Sequence, residues 1–172
     1  MTIETLERRF LLSSTTAARS WLWAIDGGAS DGSSTLLKID PGTGDTAIIG
    51  ETGIANMTDI AFARAGTLYG VTANALYQID PRTAKAARIG AIGFDSVNAL
   101  VVDPGSGLLC AATAERQFIT IDPETGAGQF VNIMAGGLFS QGDMAVSPDG
   151  TTWGTVGDYA GNSYLALIDA PY

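Results

Sequence analysis

The chain of 172 residues is 46% hydrophobic and only 16% charged, which predicts one folded domain with a sizeable core. Nine basic against 18 acidic residues give a formal net charge of −9, which disfavours nucleic acid and anionic membranes as partners. There is no histidine and only one cysteine, Cys110, so the sequence excludes Ser-His-Asp and Cys-His catalysis and zinc sites built on imidazole or thiolate clusters.

Residues 1–20 are predicted to be an N-terminal arm or an edge strand, with RRFLLSS at 8–14 as the strand-like part and a short helix as the alternative. The apolar stretch FLL is shorter than the hydrophobic region of a signal peptide, and no window approaches the roughly 18 apolar residues of a membrane span. We therefore expect cytoplasmic synthesis, with incorporation into a larger particle left open.

Residues 21–172 carry two phrases that recur about every 40 residues. The first contains Ile-Asp and occurs as LLKIDPGTG, LYQIDPRTA and FITIDPETG, with a further Ile-Asp at 168–169. The second reads MTDIAFARAGTLYGVT at 57–72, VNALVVDPGSGLLCAAT at 97–113 and GDMAVSPDGTTWGTVG at 142–157, and WLWAID at 21–26 is a truncated copy. A fixed period of this length indicates a repeat architecture.

The apolar runs inside each repeat are short and are bounded by Pro, Gly and Asp, which is typical of strands joined by tight turns. Four strands fit one period, and in the second repeat we expect them near 45–50, 57–63, 67–72 and 75–80. The predicted fold is an all-β array of about four four-stranded antiparallel blades, near 21–40, 45–80, 86–122 and 127–169. The first blade is incomplete because only its last two strands are present.

These phrases resemble the repeats of bacterial β-propellers of the YVTN and TolB-like kind, which are relatives of the WD-repeat proteins. The resemblance covers residues 21–169 and implies blade architecture, but it implies no activity because such repeats occur in proteins of many functions. Single-chain propellers have four to eight blades. The incomplete first blade therefore predicts either a small closed ring or an open array whose bare strand edges need a partner.

Three sets of residues are candidates for a structural or functional role. An aspartate opens each Asp-Pro turn or ends the last repeat, where we expect a turn cap in preference to a ring of carboxylates: Asp40, Asp80, Asp122 and Asp169. A polar residue precedes each apolar run of the second phrase: Asp59, Asn98 and Asp143. The propeller resemblance places that position near the central channel, so these three are candidate Ca²⁺ ligands, with structural hydrogen bonding as the alternative.

The third set is aromatic and repeats with the blade: Trp23, Tyr69 and Trp153, with Leu109 assigned to the remaining copy. We expect these side chains to pack between neighbouring sheets, with a sugar- or peptide-stacking surface as the alternative.

The sequence favours a non-enzymatic interaction module, a structural scaffold that makes protein–protein contacts in a homo-oligomer or a larger assembly such as a phage virion decoration or tail. Its expected partners are proteins, including a second copy of itself, and no cofactor is expected. Two alternatives stay open: a Ca²⁺-dependent lactonase- or esterase-like hydrolase, and a carbohydrate-binding module.

Overall fold

The computed structural model describes residues 21–27, 32–147 and 149–168, which form four antiparallel sheets. The first sheet has three strands: β1 (Leu22–Asp26), β2 (Thr35–Ile39) and β3 (Thr46–Glu51). The second has four: β4 (Asp59–Phe62), β5 (Leu68–Val71), β6 (Ala75–Ile79) and β7 (Ala86–Ala91). The third also has four: β8 (Val97–Val102), β9 (Leu109–Thr113), β10 (Gln117–Ile121) and β11 (Gly128–Ile133). The fourth has three: β12 (Phe139–Val146), β13 (Thr152–Gly157) and β14 (Ser163–Ile168).

Within every sheet the strands lie in chain order and pair with their sequence neighbours. The described residues add one 3₁₀ turn at Ala135–Gly137 and no helix with the length and apolar character of a membrane span. The predicted all-β, propeller-like array of about four antiparallel blades is confirmed.

The grouping of strands into blades differs from the prediction at one strand in each repeat. The strand near 45–50 was expected to open the second blade, but β3 pairs with β2 and closes the first sheet. The reason is the Asp-Pro turn, in which the Gly44 amide donates to the Asp40 carbonyl at 2.7 Å and returns the chain directly alongside β2. A turn this tight forms a hairpin and cannot carry the chain to another sheet.

The same turn needs one residue in the left-handed region of backbone conformation. Gly44 and Gly126 hold that position with φ of 79° each, and Ala84 holds it in the second sheet with φ of 64°. Glycine adopts this conformation without steric cost, whereas alanine does not. The Ala84 methyl group is fully buried, which compensates for the strain by packing against the first sheet.

Three apolar clusters hold the array together, and each cluster joins two sheets that are consecutive in the chain. We call the side of a sheet that contacts the next sheet its front face, and the opposite side its back face. In the first junction, Leu36 on the front face of the first sheet packs with Leu68, Tyr77 and Ile79 on the back face of the second. The second and third junctions repeat this front-to-back contact.

Some predicted features lie outside the described residues. These are the N-terminal arm at 1–20, its strand at 8–14, and Asp169.

Candidate functional site

Asp59 connects the first strands of two neighbouring sheets, β4 and β8. Its Oδ1 accepts a hydrogen bond from the Ile60 amide and its Oδ2 accepts one from the Leu100 amide in β8, both at 2.7 Å. Burial raises the pKa of the Asp59 carboxyl to about 7, with a smaller contribution from the negative charge of Asp143, although the two amide hydrogen bonds oppose the rise. The side chain thus joins the second sheet to the third through a hydrogen bond.

Asn98 forms an equivalent hydrogen-bonded link between the third and fourth sheets. Its Nδ2 donates to the Ser140 carbonyl in β12 at 2.9 Å, while its Oδ1 is buried and has no hydrogen-bond partner among the described residues. Asp143 is the third member of the series, and it is exposed on β12. The first two members therefore each link a sheet to its successor, and the third stands where the described sheets end.

Asp59 and Asp143 line one cavity of about 300 Å³, which also touches Trp23 of β1. Asn98 is not among the residues of its lining, so the structure brings together two of the three candidate ligands. In the part of the chain that the structure describes, no group of three or more His, Cys, Asp or Glu side chains could hold a metal ion. Both Asp59 oxygens already accept amide hydrogen bonds, an arrangement typical of a structural carboxylate.

The turn aspartates Asp40, Asp80 and Asp122 each cap their own turn. One carboxylate oxygen accepts the amide of the residue two positions on, at 2.8 Å in all three copies. In Asp80 and Asp122, these amide hydrogen bonds are the largest cause of a lowered carboxyl pKa. The geometry is that of an Asx-turn.

The repeated aromatic residues occupy equivalent places but different surroundings. Trp23 packs edge-on against Phe62 of the next sheet, with ring centroids 5.3 Å apart, and Tyr69 packs at the junction of the second and third sheets. Trp153 differs from the expectation, because it lies on the front face of the last sheet, where no further described sheet follows.

The strand register also corrects the fourth copy of this aromatic position. Leu109 pairs with Ile121 as Leu68 pairs with Ile79, so Leu109 corresponds to Leu68. The counterpart of Tyr69 is therefore Cys110, whose thiol is buried. The shift by one residue matters because neighbouring residues of a strand face opposite sides of the sheet.

The front face of the fourth sheet is the largest departure from the repeat pattern, and we call it the open face: Trp153, Leu165 and Leu167. These side chains are 38%, 70% and 62% exposed. Trp153 and Leu167 are a directly opposed pair, and Leu165 stands two residues away on the same side of β14. Leu36 and Leu76, which hold the position of Leu165 in the first two sheets, are both 0% exposed.

Leu167 shows that the open face differs in sequence, and not only in exposure, from the front faces of the other sheets. Leu167 directly precedes the Ile-Asp pair that recurs in each repeat, and the residues at this position in the first three sheets are Lys38, Gln78 and Thr120. All three are polar, whereas the last sheet has leucine. The one sheet whose front face lacks a described neighbour therefore carries an additional apolar side chain there.

An apolar groove of about 250 Å³ lies beside this sheet, between β11 and β14. Its lining includes Phe118, Met134 and Leu138, and none of its residues is an acid, a base or a nucleophile. The groove offers a surface for packing and no group for acid–base chemistry.

No protein-family model matches the sequence, and a search of curated proteins found no match. Solved structures do resemble the fold. A nidogen/laminin complex aligns with a TM-score of 0.60 at 10% identity, covering 86% of this chain and 60% of that one. The gluconolactonase XC5397 from Xanthomonas campestris aligns with a TM-score of 0.57 at 11% identity, covering 88% of this chain and 55% of that one. Regucalcin from Agrobacterium tumefaciens, a calcium-binding protein, gives 0.55 at 19% identity, covering 78% and 49%.

The chain thus spans between about half and three fifths of these three structures, and at such low identity the similarity concerns the fold alone. The sequence interpretation missed Leu165 and Leu167 as candidate functional residues. A signal existed in the repeat itself, since Leu167 is the only apolar residue at its position in the four repeats.

Proposed function

We propose that this chain is a non-enzymatic interaction module that makes protein–protein contacts through the open face of its last sheet. The observation that carries the proposal is the exposure of Trp153 and Leu165 at positions where equivalent side chains pack between sheets, together with the additional exposed Leu167. Contiguous exposed apolar side chains on a folded domain mark binding surfaces more often than isolated ones do. The virion setting draws no support from the structural similarities and is not part of the proposal.

The chemistry of the open face favours a protein partner over a sugar. A sugar-binding platform needs an exposed aromatic ring with hydrogen-bonding groups around it, whereas Trp153 is flanked by two leucines. An aromatic anchor surrounded by aliphatic side chains is the composition of a protein-interface core.

A variant pair tests whether the open face serves binding and not the fold of the chain. Leu165→Ala and Leu76→Ala remove the same atoms at equivalent positions of two sheets. We expect Leu76→Ala to lower the free energy of unfolding by roughly 2 to 5 kcal/mol, because Leu76 is fully buried. Leu165→Ala should change it by less than about 0.5 kcal/mol, because the side chain is 70% exposed. Urea denaturation of dilute protein measures both, and equal losses would overturn the proposal.

The second candidate is a Ca²⁺-dependent lactone or ester hydrolase, which is favoured by the shared cavity of Asp59 and Asp143. The gluconolactonase and regucalcin similarities agree with it at the level of fold. Against it stand the two amide hydrogen bonds that already use both Asp59 oxygens.

Calcium titration separates the two candidates. We expect no binding of Ca²⁺ at millimolar concentration by isothermal calorimetry and no hydrolysis of δ-lactones or aryl esters with or without the ion. Asp59→Asn is the matched variant, since Asn98 naturally holds the equivalent position in the next sheet. Calcium binding together with turnover that both disappear in Asp59→Asn would establish the hydrolase and remove the non-enzymatic proposal.

A further inference from the structure

The first sheet has an apolar back face that matches the open face at the other end of the array. Leu22 pairs with Ile39 and Ala24 pairs with Leu37, so these four side chains project to one side. That side is opposite to the one carrying Leu36, which packs on the second sheet. Leu22 is 56% exposed, and none of the three apolar clusters of the described residues includes Leu22, Leu37 or Ile39.

The equivalent back-face residues of the next sheets show what such a surface normally contacts. In the second sheet they are Leu68, Tyr77 and Ile79, which are 0%, 8% and 1% exposed beneath the front face of the first sheet. In the third sheet they are Leu109, Ile119 and Ile121, each 1% exposed beneath the front face of the second. A back face of this composition is therefore a surface that packs against a front face.

From this complementarity we propose that the open face of one copy of this chain packs against the back face of the first sheet of a second copy. The inference rests on the proposed function and names its partner. The contact would repeat the first front-to-back junction of the chain, with Leu165 in the place of Leu36 and Leu22 in the place of Leu68.

The two surfaces differ from each other, so the contact is heterologous. Each copy carries one unoccupied front face and one unoccupied back face among its described sheets. A heterologous contact joins two copies into a ring when its rotation closes, and builds longer chains of subunits when it does not. The formal charge of −9 on each copy opposes association. Added salt screens this repulsion and favours the assembly.

Two single variants test the contact. Leu165→Arg places a charge on the open face, and Leu22→Arg places one on the back face of the first sheet. We expect the wild type to associate with rising concentration in sedimentation velocity, more strongly at high salt, and each variant alone to remain monomeric. An equimolar mixture of the two should form a 1:1 dimer, because the intact back face of one meets the intact open face of the other.

Ile48→Arg is the matched control on the first sheet. Ile48 lies on the same side, opposite Leu37, and is 74% exposed. The equivalent position in the second sheet is Arg88, opposite Tyr77, where an arginine already stands at the edge of a formed junction. Ile48→Arg should therefore associate as the wild type does. Trp153→Ala, which truncates the aromatic side chain of the open face, should weaken association and provides a second variant of that face.

Circular dichroism spectra matching that of the wild type establish that the variants are folded. A wild type that stays monomeric up to about 100 μM at high salt would overturn the second copy as partner. So would a Leu22→Arg variant that still dimerises alone, which would indicate pairing of two open faces. In either case, a Leu165→Ala variant with an unchanged free energy of unfolding would still support an interaction module that binds another partner. A Leu165→Ala variant that loses as much free energy of unfolding as Leu76→Ala would contradict both proposals.

Discussion

Replacing Gly90 with alanine is expected to lower the free energy of unfolding by about 3 kcal/mol or more, because the new methyl group has no space. Gly90 lies in β7, where the turn of the third sheet passes against the second. A Cβ atom at this position would lie 1.9 Å from the Thr125 carbonyl oxygen and 3.5 Å from the Gly126 Cα. These are backbone atoms, so no side-chain rotation relieves the clash, and the two sheets must separate.

Gly105→Ala provides the control for this substitution. Gly105 lies in an exposed turn, and its added Cβ would be 3.4 Å from a carboxylate oxygen of Asp103, close to an ordinary contact. We expect a change within about 0.5 kcal/mol there. Thermal unfolding followed by circular dichroism compares the two variants. A Gly90→Ala protein as stable as Gly105→Ala would show that the second and third sheets are not packed as closely as described.

The stability of the protein is expected to fall as pH rises from 5 to 8 because of Asp59. Its pKa is about 7 in the folded protein and near 3.8 when unfolded, so between these values the folded state binds more protons than the unfolded state. The preference for the protonated folded state is lost as pH rises through 7. The decrease in the free energy of unfolding over this range is roughly 2 to 3 kcal/mol.

Five other aspartates do not titrate between pH 5 and 8, because hydrogen bonding lowers the pKa values of their carboxyl groups: Asp80, Asp103, Asp122, Asp149 and Asp158. Their stabilising effect is lost only on acidification below about 4. Urea midpoints measured at pH 5 and pH 8 test the prediction, with Asp59→Asn as control because an amide does not titrate. A wild type with equal midpoints, or a decrease that persists in Asp59→Asn, would contradict the role of Asp59.

The repeats predicted the strands well but left their grouping into sheets open. A period of about 40 residues specifies the spacing of repeated strands, and any strand of the period can be taken as its beginning. Thr46–Glu51 was assigned to the second blade for this reason, although its hydrogen bonds belong to the first sheet. The turn beginning at Asp40 contained the information needed, since it is too tight to connect separate sheets.

The candidate site was less predictable because it depends on position in the array and on distant contacts. Leu165 has the same local pattern as Leu76, and only the order of the sheets makes one exposed and the other buried. The Asp59 hydrogen bond to Leu100 crosses 41 residues, so no local pattern indicates it. The raised pKa of Asp59 follows from the burial that this packing creates.

The front-to-back junctions also bear on which sheets open most easily by local unfolding. Each apolar cluster joins only consecutive sheets, so the two middle sheets are held on both sides and the two terminal sheets on one. In such a linear array, cooperative fluctuations begin at the ends and reach the centre last. The surfaces proposed to bind a second copy are thus borne by the most easily frayed elements. Docking would give each terminal sheet its missing neighbour, so association and the suppression of fraying become a single event.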